Sequence, residues 1–187
     1  MTTINGRACV VNGTPVDKVF SNGKQVYGRN LLKNTRTSSA TSTTSSWAVL
    51  FGSSQVYDSG IKSLSGVSAM TFSFDVYVPS NAAVGRQVYV QLKGQNSKAT
   101  NVGTDDYNTL LIYPDYVIKQ DDLGKTIRAS GSIQNYYKYQ SFDAALADTA
   151  SIVIRQSSDM SGFVYSKIKL EIGSVPTPWT SAPEDVM

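Results

Sequence analysis

From Trp47 onward the apolar residues tend to recur at every second position. Met70, Phe72, Phe74, Val76 and Val78 alternate with Thr71, Ser73, Asp75 and Tyr77, the period of a strand with one face in a core. Arg86 to Leu92 repeats the pattern, with Val88, Val90 and Leu92 inward and Gln87, Tyr89 and Gln91 outward. Further strands are predicted over Tyr107 to Tyr113, Tyr116 to Gln120, Lys125 to Ala129, Tyr136 to Phe142, Ser151 to Arg155 and Gly162 to Ile172. In the last, Val164, Ser166, Ile168, Leu170 and Ile172 are set against Tyr165, Lys167, Lys169 and Glu171. Only Phe142 to Ala150 has a helical composition, and it is too short to count as an element. Many short alternating strands parted by Gly, Asn, Asp and Ser turns predict an all-β fold: an antiparallel β-sandwich, most economically a jelly roll, over residues 29–187.

Residues 1–28 are built differently. The apolar runs Ala8 to Val11, Val16 to Phe20 and Gln25 to Tyr27 are parted by Asn12-Gly13 and Asn22-Gly23. Asn-Gly supplies the two positive φ angles of a type I′ hairpin turn, so a small three-strand meander is predicted. So small a sheet has little to bury its apolar face against. It reads as an arm that docks on its own domain or on a partner. Residues 35–46 are almost all Thr and Ser and predict a loop or irregular edge.

Composition narrows the chemistry. The chain has no His, one Cys and, among its 14 acidic residues, only two glutamates, Glu171 and Glu184. Imidazole triads, His-ligated zinc and haem, and disulfides within the chain are excluded. Cys9 without a His partner is a poor nucleophile and reads as a small buried hydrophobe. No pair of aspartates stands out as an acid and a base, so no enzyme is expected. The 17 Lys and Arg, for a net charge of +3, are dispersed rather than in a run, which argues against nucleic acid as a partner. Met1 to Arg7 opens no apolar signal-peptide core, and no stretch of about 18 apolar residues occurs. A product made in the cytoplasm, without membrane insertion, is expected.

The ends of the sandwich carry a resemblance. Tyr27-Gly28-Arg29-Asn30-Leu31-Leu32 opens it, and Lys167-Ile168-Lys169-Leu170-Glu171-Ile172-Gly173 runs into Thr177-Pro178-Trp179-Thr180 and Ala182-Pro183-Glu184-Asp185 to close it. These segments resemble carbohydrate-binding modules in tail and baseplate proteins of phages infecting Gram-positive, including lactic acid, bacteria. The segments Val11 to Val19 and Asn22 to Gly28 resemble the arm that such proteins carry before the module, whereas the middle matches mainly in strand pattern. The resemblance implies a jelly-roll module displayed on a virion and touching cell-wall polysaccharide or another surface glycan. It also implies other virion proteins as partners and a homo-oligomer, with a trimer as the expected state. Its motifs are framework motifs, so no sugar-contacting residue is carried over. Trp179 is expected to fold back on the sandwich edge as a plug, with Pro183-Glu184-Asp185 leaving as a short tail.

Sugars stack their CH faces on aromatic rings while planar polar groups bind their hydroxyls. The 11 tyrosines supply the rings. If the outward faces of neighbouring strands meet, Tyr89, Gln91, Tyr113, Tyr137 and Arg155 line one groove, the candidate carbohydrate site. Tyr107, Asn108, Tyr113 and Tyr116 form a second aromatic group beside Asp105 and Asp106, and Trp47 reads as core. No cofactor is expected. Asp105-Asp106 and Asp121-Asp122 are the candidate ligands for a structural calcium ion, although EF-hand spacing is absent. Two other readings compete with a saccharide-binding virion component. One is a purely structural decoration, collar or fibre subunit without a working glycan site; the other is a glycan hydrolase using two aspartates.

Overall fold

The structure, a computed structural model, describes residues 9–35, 40–41, 47–51, 59–94, 109–133, 139–156 and 161–185. Two hairpins come first. β1 (Val10–Val11) pairs with β2 (Thr14–Pro15), and β3 (Lys18–Ser21) pairs with β4 (Lys24–Gly28). Their turns have φ of 50° and 77° at Asn12 and Gly13 and of 51° and 75° at Asn22 and Gly23, the double positive φ of Asn-Gly. The hairpins are two separate sheets and not the predicted three-strand meander. Pro15 has no N–H to offer a third strand. Val16 donates back to the Cys9 carbonyl at 3.0 Å and closes the first hairpin, and Asp17 then turns the chain, its carbonyl accepting from Arg29 N–H at 2.8 Å.

Among the described residues eight strands build the sandwich: β5 (Ala40–Thr41), β6 (Trp47–Phe51), β7 (Met70–Tyr77), β8 (Gln87–Gly94), β9 (Thr109–Val117), β10 (Thr126–Ile133), β11 (Thr149–Gln156) and β12 (Val164–Ile172). They lie in two antiparallel sheets, ordered β10-β7-β12-β5 and β6-β11-β8-β9. Consecutive strands cross between the sheets except β8 and β9, which pair within one, and the first lies beside the last, which is jelly-roll topology. Phe72, Phe74 and Val76 of β7, Leu170 of β12 and Ile133 of β10 pack in one buried core with Val88 and Leu92 of β8 and Ile152 of β11.

Four further expectations need correction. The segments Tyr107 to Tyr113 and Tyr116 to Gln120 give one strand, β9, because a register irregularity opposite Val88 and Val90 absorbs Pro114. Phe142 does not end a strand but opens helix α1 (Phe142–Asp148), whose N-cap Ser141 Oγ accepts from Ala144 N–H at 3.1 Å. The Asp143 carboxylate then fastens the helix by accepting from Gly66 and Val67 N–H at 2.8 and 3.2 Å.

In β12 the alternation changes phase. Tyr165 pairs with Val76 and is buried, its ring edge-on to Phe74 at 5.8 Å, while Val164 and Ser166 pair with Tyr77 and Asp75 on the opposite face. The register slips between Ser166 and Lys169, where Lys167 takes a φ of 46°, and Ile168 and Leu170 then return to the core. A single inserted residue flips every side chain on one side of it, so uniform alternation over Gly162 to Ile172 fails.

The fourth correction concerns the last residues. Pro183 to Asp185 is not a free tail but a 3-10 turn. Arg29 forms ion pairs with Glu184 and, at 3.4 Å, with Asp17, and the Asp185 carboxylate accepts from Asn34 N–H at 3.0 and 2.9 Å.

Candidate functional site

Four of the proposed sugar-binding residues, Tyr89, Gln91, Tyr113 and Arg155, are carried by the β6-β11-β8-β9 sheet. Register sets Arg155 opposite Tyr89, and Gln91 opposite both Val153 and Leu111. Residues directly opposite share a face, and residues two apart along a strand do too. Tyr89, Gln91 and Arg155 therefore occupy one face of this sheet, opposite the one on which Val88, Leu92 and Ile152 enter the core. Tyr113 follows Ile112, the partner of Val90, and lies in the β9 irregularity opposite Tyr89. Four of the five residues are thus neighbours in the backbone. Tyr137 lies outside the described residues, as do Tyr107, Asn108, Asp105 and Asp106.

The second aspartate pair has a structural task. Asp122 Oδ2 accepts from Lys119 N–H at 2.7 Å and from the Tyr116 hydroxyl at 3.0 Å, which closes the 3-10 turn Gln120–Asp122. Among the described residues no group of three Asp, Glu, Cys or His side chains is placed to hold a metal.

The ends of the sandwich, read from sequence only as framework, converge on one buried polar cluster. Lys169 and Glu171 have no exposed side-chain surface, and their charged atoms lie 3.4 Å apart. Thr177 sits between them. Its hydroxyl donates to Glu171 Oε2 at 2.6 Å and accepts from Lys169 Nζ at 2.6 Å and Gly28 N–H at 3.0 Å, while its own N–H donates to Glu171 Oε1 at 2.9 Å. Lys169 also donates to the Pro178 carbonyl at 2.9 Å and lies 5.7 Å from the centre of the Tyr27 ring. A Cβ on residue 28 would overlap Glu171 Oε2 and stand 2.9 Å from its Cδ, so only glycine lets β4 approach this closely.

Next to the cluster, Asn30 is fully buried and saturated. Its amide nitrogen donates to the carbonyls of Ile168 and Thr180 and to Thr35 Oγ1, and its oxygen accepts from Leu32 and Leu170 N–H. Trp179 Nε1 donates to the same Thr35 hydroxyl at 3.2 Å, consistent with the expected plug. Together these contacts latch the opening segment, β12 and the closing segment. Cys9 is half-buried, and its N–H donates to the Tyr27 hydroxyl at 3.2 Å, which ties the first hairpin to the latch.

Burial pushes the Lys169 ammonium down to about 8, against the pull of the Glu171 carboxylate beside it. The unfolded chain, with an ordinary lysine near 10.5, holds that proton to higher pH. Between the two values the unfolded state binds more protons, so stability rises with pH. The Tyr27 and Tyr165 hydroxyls act in the opposite sense. Desolvation raises both above 10.0, so the unfolded tyrosines ionise first and stability falls above that pH. The urea midpoint is expected to climb from pH 8 toward pH 10 and to drop beyond it. Lys169→Met should remove the climb and keep the drop.

Fold and latch together define a jelly-roll module closed by its own ends. The chain belongs to the family described as a domain of unknown function (DUF7013), whose model matches residues 27–182. The match starts at Tyr27 and ends at Ala182, both buried. No curated protein matches. Among solved structures, the tripod (BppUct-A-L) from the baseplate of bacteriophage Tuc2009 is similar, with 17% identity, a TM-score of 0.48 and coverage of 87% of this chain. This chain spans 62% of the tripod chain. The CBM22-1 xylan-binding domain of Paenibacillus barcinonensis Xyn10C is similar at 10% identity and a TM-score of 0.37, covering 79% of this chain and 94% of the domain. The CBM22-1-GH10 modules of Clostridium thermocellum xylanase 10B, complexed with xylohexaose, are similar at 14% identity and a TM-score of 0.33, covering 62% of this chain and 18% of that one.

Proposed function

We propose that the chain is a non-catalytic component of a phage virion whose sandwich binds saccharide on the surface of a Gram-positive host, in a tail or baseplate setting. The observation that carries this reading is the strand register, which gathers Tyr89, Arg155 and Gln91 on one sheet face with Tyr113 beside them. An aromatic ring, a guanidinium and an amide are the groups that hold a sugar ring by stacking and by hydrogen bonds to its hydroxyls. Tyr137 completes the proposed groove. Residues 1–28 are the docking arm: Val11 and Phe20 are 56% and 61% exposed on the two hairpins, apolar surface suited to other virion proteins or to copies of this chain, with a trimer as the proposed state. Weak single sites multiplied by copy number would give firm adhesion.

The test is retention of the fluorescently tagged chain on intact Gram-positive cell walls, before and after chemical removal of the wall polysaccharides, with its mass in solution recorded on the same sample. Retention that disappears with the polysaccharide is expected, and Tyr89→Ala and Tyr137→Ala should each weaken it by about two- to tenfold, in line with loss of one stacked ring at roughly 0.5–1.5 kcal/mol. A stable oligomer that never binds walls would instead identify a purely structural subunit.

A further inference from the structure

The outer face of the β10-β7-β12-β5 sheet is only half covered. At one end the closing segment lies on it: the Thr71 and Ser132 hydroxyls donate to the carbonyls of Gly173 and Ser174 at 2.7 and 2.8 Å. At the other end Tyr77 and the Lys167 side chain remain 40% and 57% exposed, and the charge of the described residues there is unbalanced. Two cations meet one carboxylate there, Arg128 Nη1 at 2.9 Å and Lys167 Nζ at 3.1 Å from the two oxygens of Asp75. The Asp75 side chain is 12% exposed and that of Lys167 is 57% exposed. The carboxylate is therefore spent on positioning the cations, and among the described residues one positive charge is left in surplus on this face.

The backbone beneath is strained to achieve this. Lys167 occupies the β12 bulge at a φ of 46°, a region that costs a residue with a Cβ about 1–2 kcal/mol and glycine nothing. Without the bulge, alternation from Ser166 would send the Lys167 side chain to the core side. Arg128 holds the turn by donating to the Lys167 carbonyl at 2.7 Å, and is itself fixed by a bond from Nη2 to Ser73 Oγ at 2.7 Å. A non-glycine residue kept in such a conformation by surrounding contacts points to use of its side chain. Tyr77, 40% exposed, stands two residues beyond Asp75 on the same face, roughly 7 Å along the strand.

We propose that this open half-face is a second ligand site that takes an anionic saccharide, its ring stacked on Tyr77 and its carboxylate or phosphodiester held by Lys167 and Arg128. The site shares with the function proposed above only the premise that the module meets saccharide, and it uses the opposite sheet.

Titration calorimetry of the whole chain with polygalacturonate, phosphomannan and neutral mannan tests the site. At least one polyanion should bind, more weakly as salt is raised, and neutral mannan should not; a preference between the two polyanions identifies the anion. Lys167→Gln and Tyr77→Ala should each weaken binding about tenfold, equivalent to about 1.4 kcal/mol. Lys167→Gly should do the same while keeping the thermal midpoint of the parent, because glycine accepts the bulge conformation. Tyr89→Ala should leave polyanion binding unchanged. Failure of the parent chain to bind either polyanion would overturn the second site, as would full binding by Lys167→Gln or loss of binding in Tyr89→Ala. Wall retention, scored separately, distinguishes the two proposals. A chain that binds polyanion but not walls keeps this site and loses the adhesin function, and one that binds walls through Tyr89 but ignores polyanion loses this site alone.

Discussion

Asn30→Ala is expected to destabilise the fold by about 4 kcal/mol, a large share of the net stability of about 5–15 kcal/mol that a domain possesses. The amide joins five partners: it replaces a missing strand beside β12 by accepting from Leu170 N–H, and it ties that edge to Thr180 in the closing segment and to Leu32 in the opening one. Removing it strands several buried backbone groups, each costing about 1–3 kcal/mol when left unpaired, with partial relief from local relaxation. Asn30→Asp separates the two halves of this role. The carboxylate still accepts from Leu32 and Leu170 N–H, but it sets negative oxygen against the Ile168 and Thr180 carbonyls, so a loss of similar size is expected. Urea denaturation of the three proteins followed by tryptophan fluorescence measures both effects. A loss below about 1 kcal/mol for Asn30→Ala would mean that the opening segment is held mainly by Leu31 and Leu32 in the core.

The strands were legible wherever one face meets the core and the other does not. Met70 to Val78 and Arg86 to Leu92 alternate without interruption, and β7 and β8 start and stop within a residue or two of the predicted limits. The two Asn-Gly turns were equally legible, since their backbone requirement is local. Interactions between distant residues left no local trace. Thr71, Ser73 and Asp75 alternate as solvent-facing residues should, yet all three are buried beneath Arg128 and the closing segment. Lys169 and Glu171 look like the wet side of an amphipathic strand, and only Thr177 and Gly28, the latter more than 140 positions away, make them an interior pair. The signal that was present, a lysine and a glutamate two apart followed by Gly-Ser-Val-Pro-Thr-Pro, gains meaning once the closing segment is seen to cross their face. The site was legible in part for the same reason: alternation selects a face within a strand, but only register could bring Tyr89 beside Arg155.

The Lys169–Glu171 pair should show its worth as a coupling and not as a sum. Lys169→Met leaves the Glu171 carboxylate buried without its cation, and Glu171→Gln leaves the ammonium buried without its anion. Each single change is expected to cost about 3–5 kcal/mol, the penalty of one uncompensated interior charge. Lys169→Met combined with Glu171→Gln buries no charge at all. Glutamine can keep the bond from Thr177 N–H, and its amide can donate to the Thr177 hydroxyl oxygen from which Lys169 Nζ has withdrawn, so the polar contacts of the closing segment are largely restored. The double variant should therefore be more stable than the sum of the singles implies, by about 2 kcal/mol or more. Denaturant midpoints of the four proteins at neutral pH complete the cycle. Additive losses would show that Thr177 and Pro178 hold the two side chains independently. Strong coupling would show that the ion pair itself clamps the closing segment to β12, and through Tyr27 and Gly28 fixes the angle at which the N-terminal hairpins leave the sandwich.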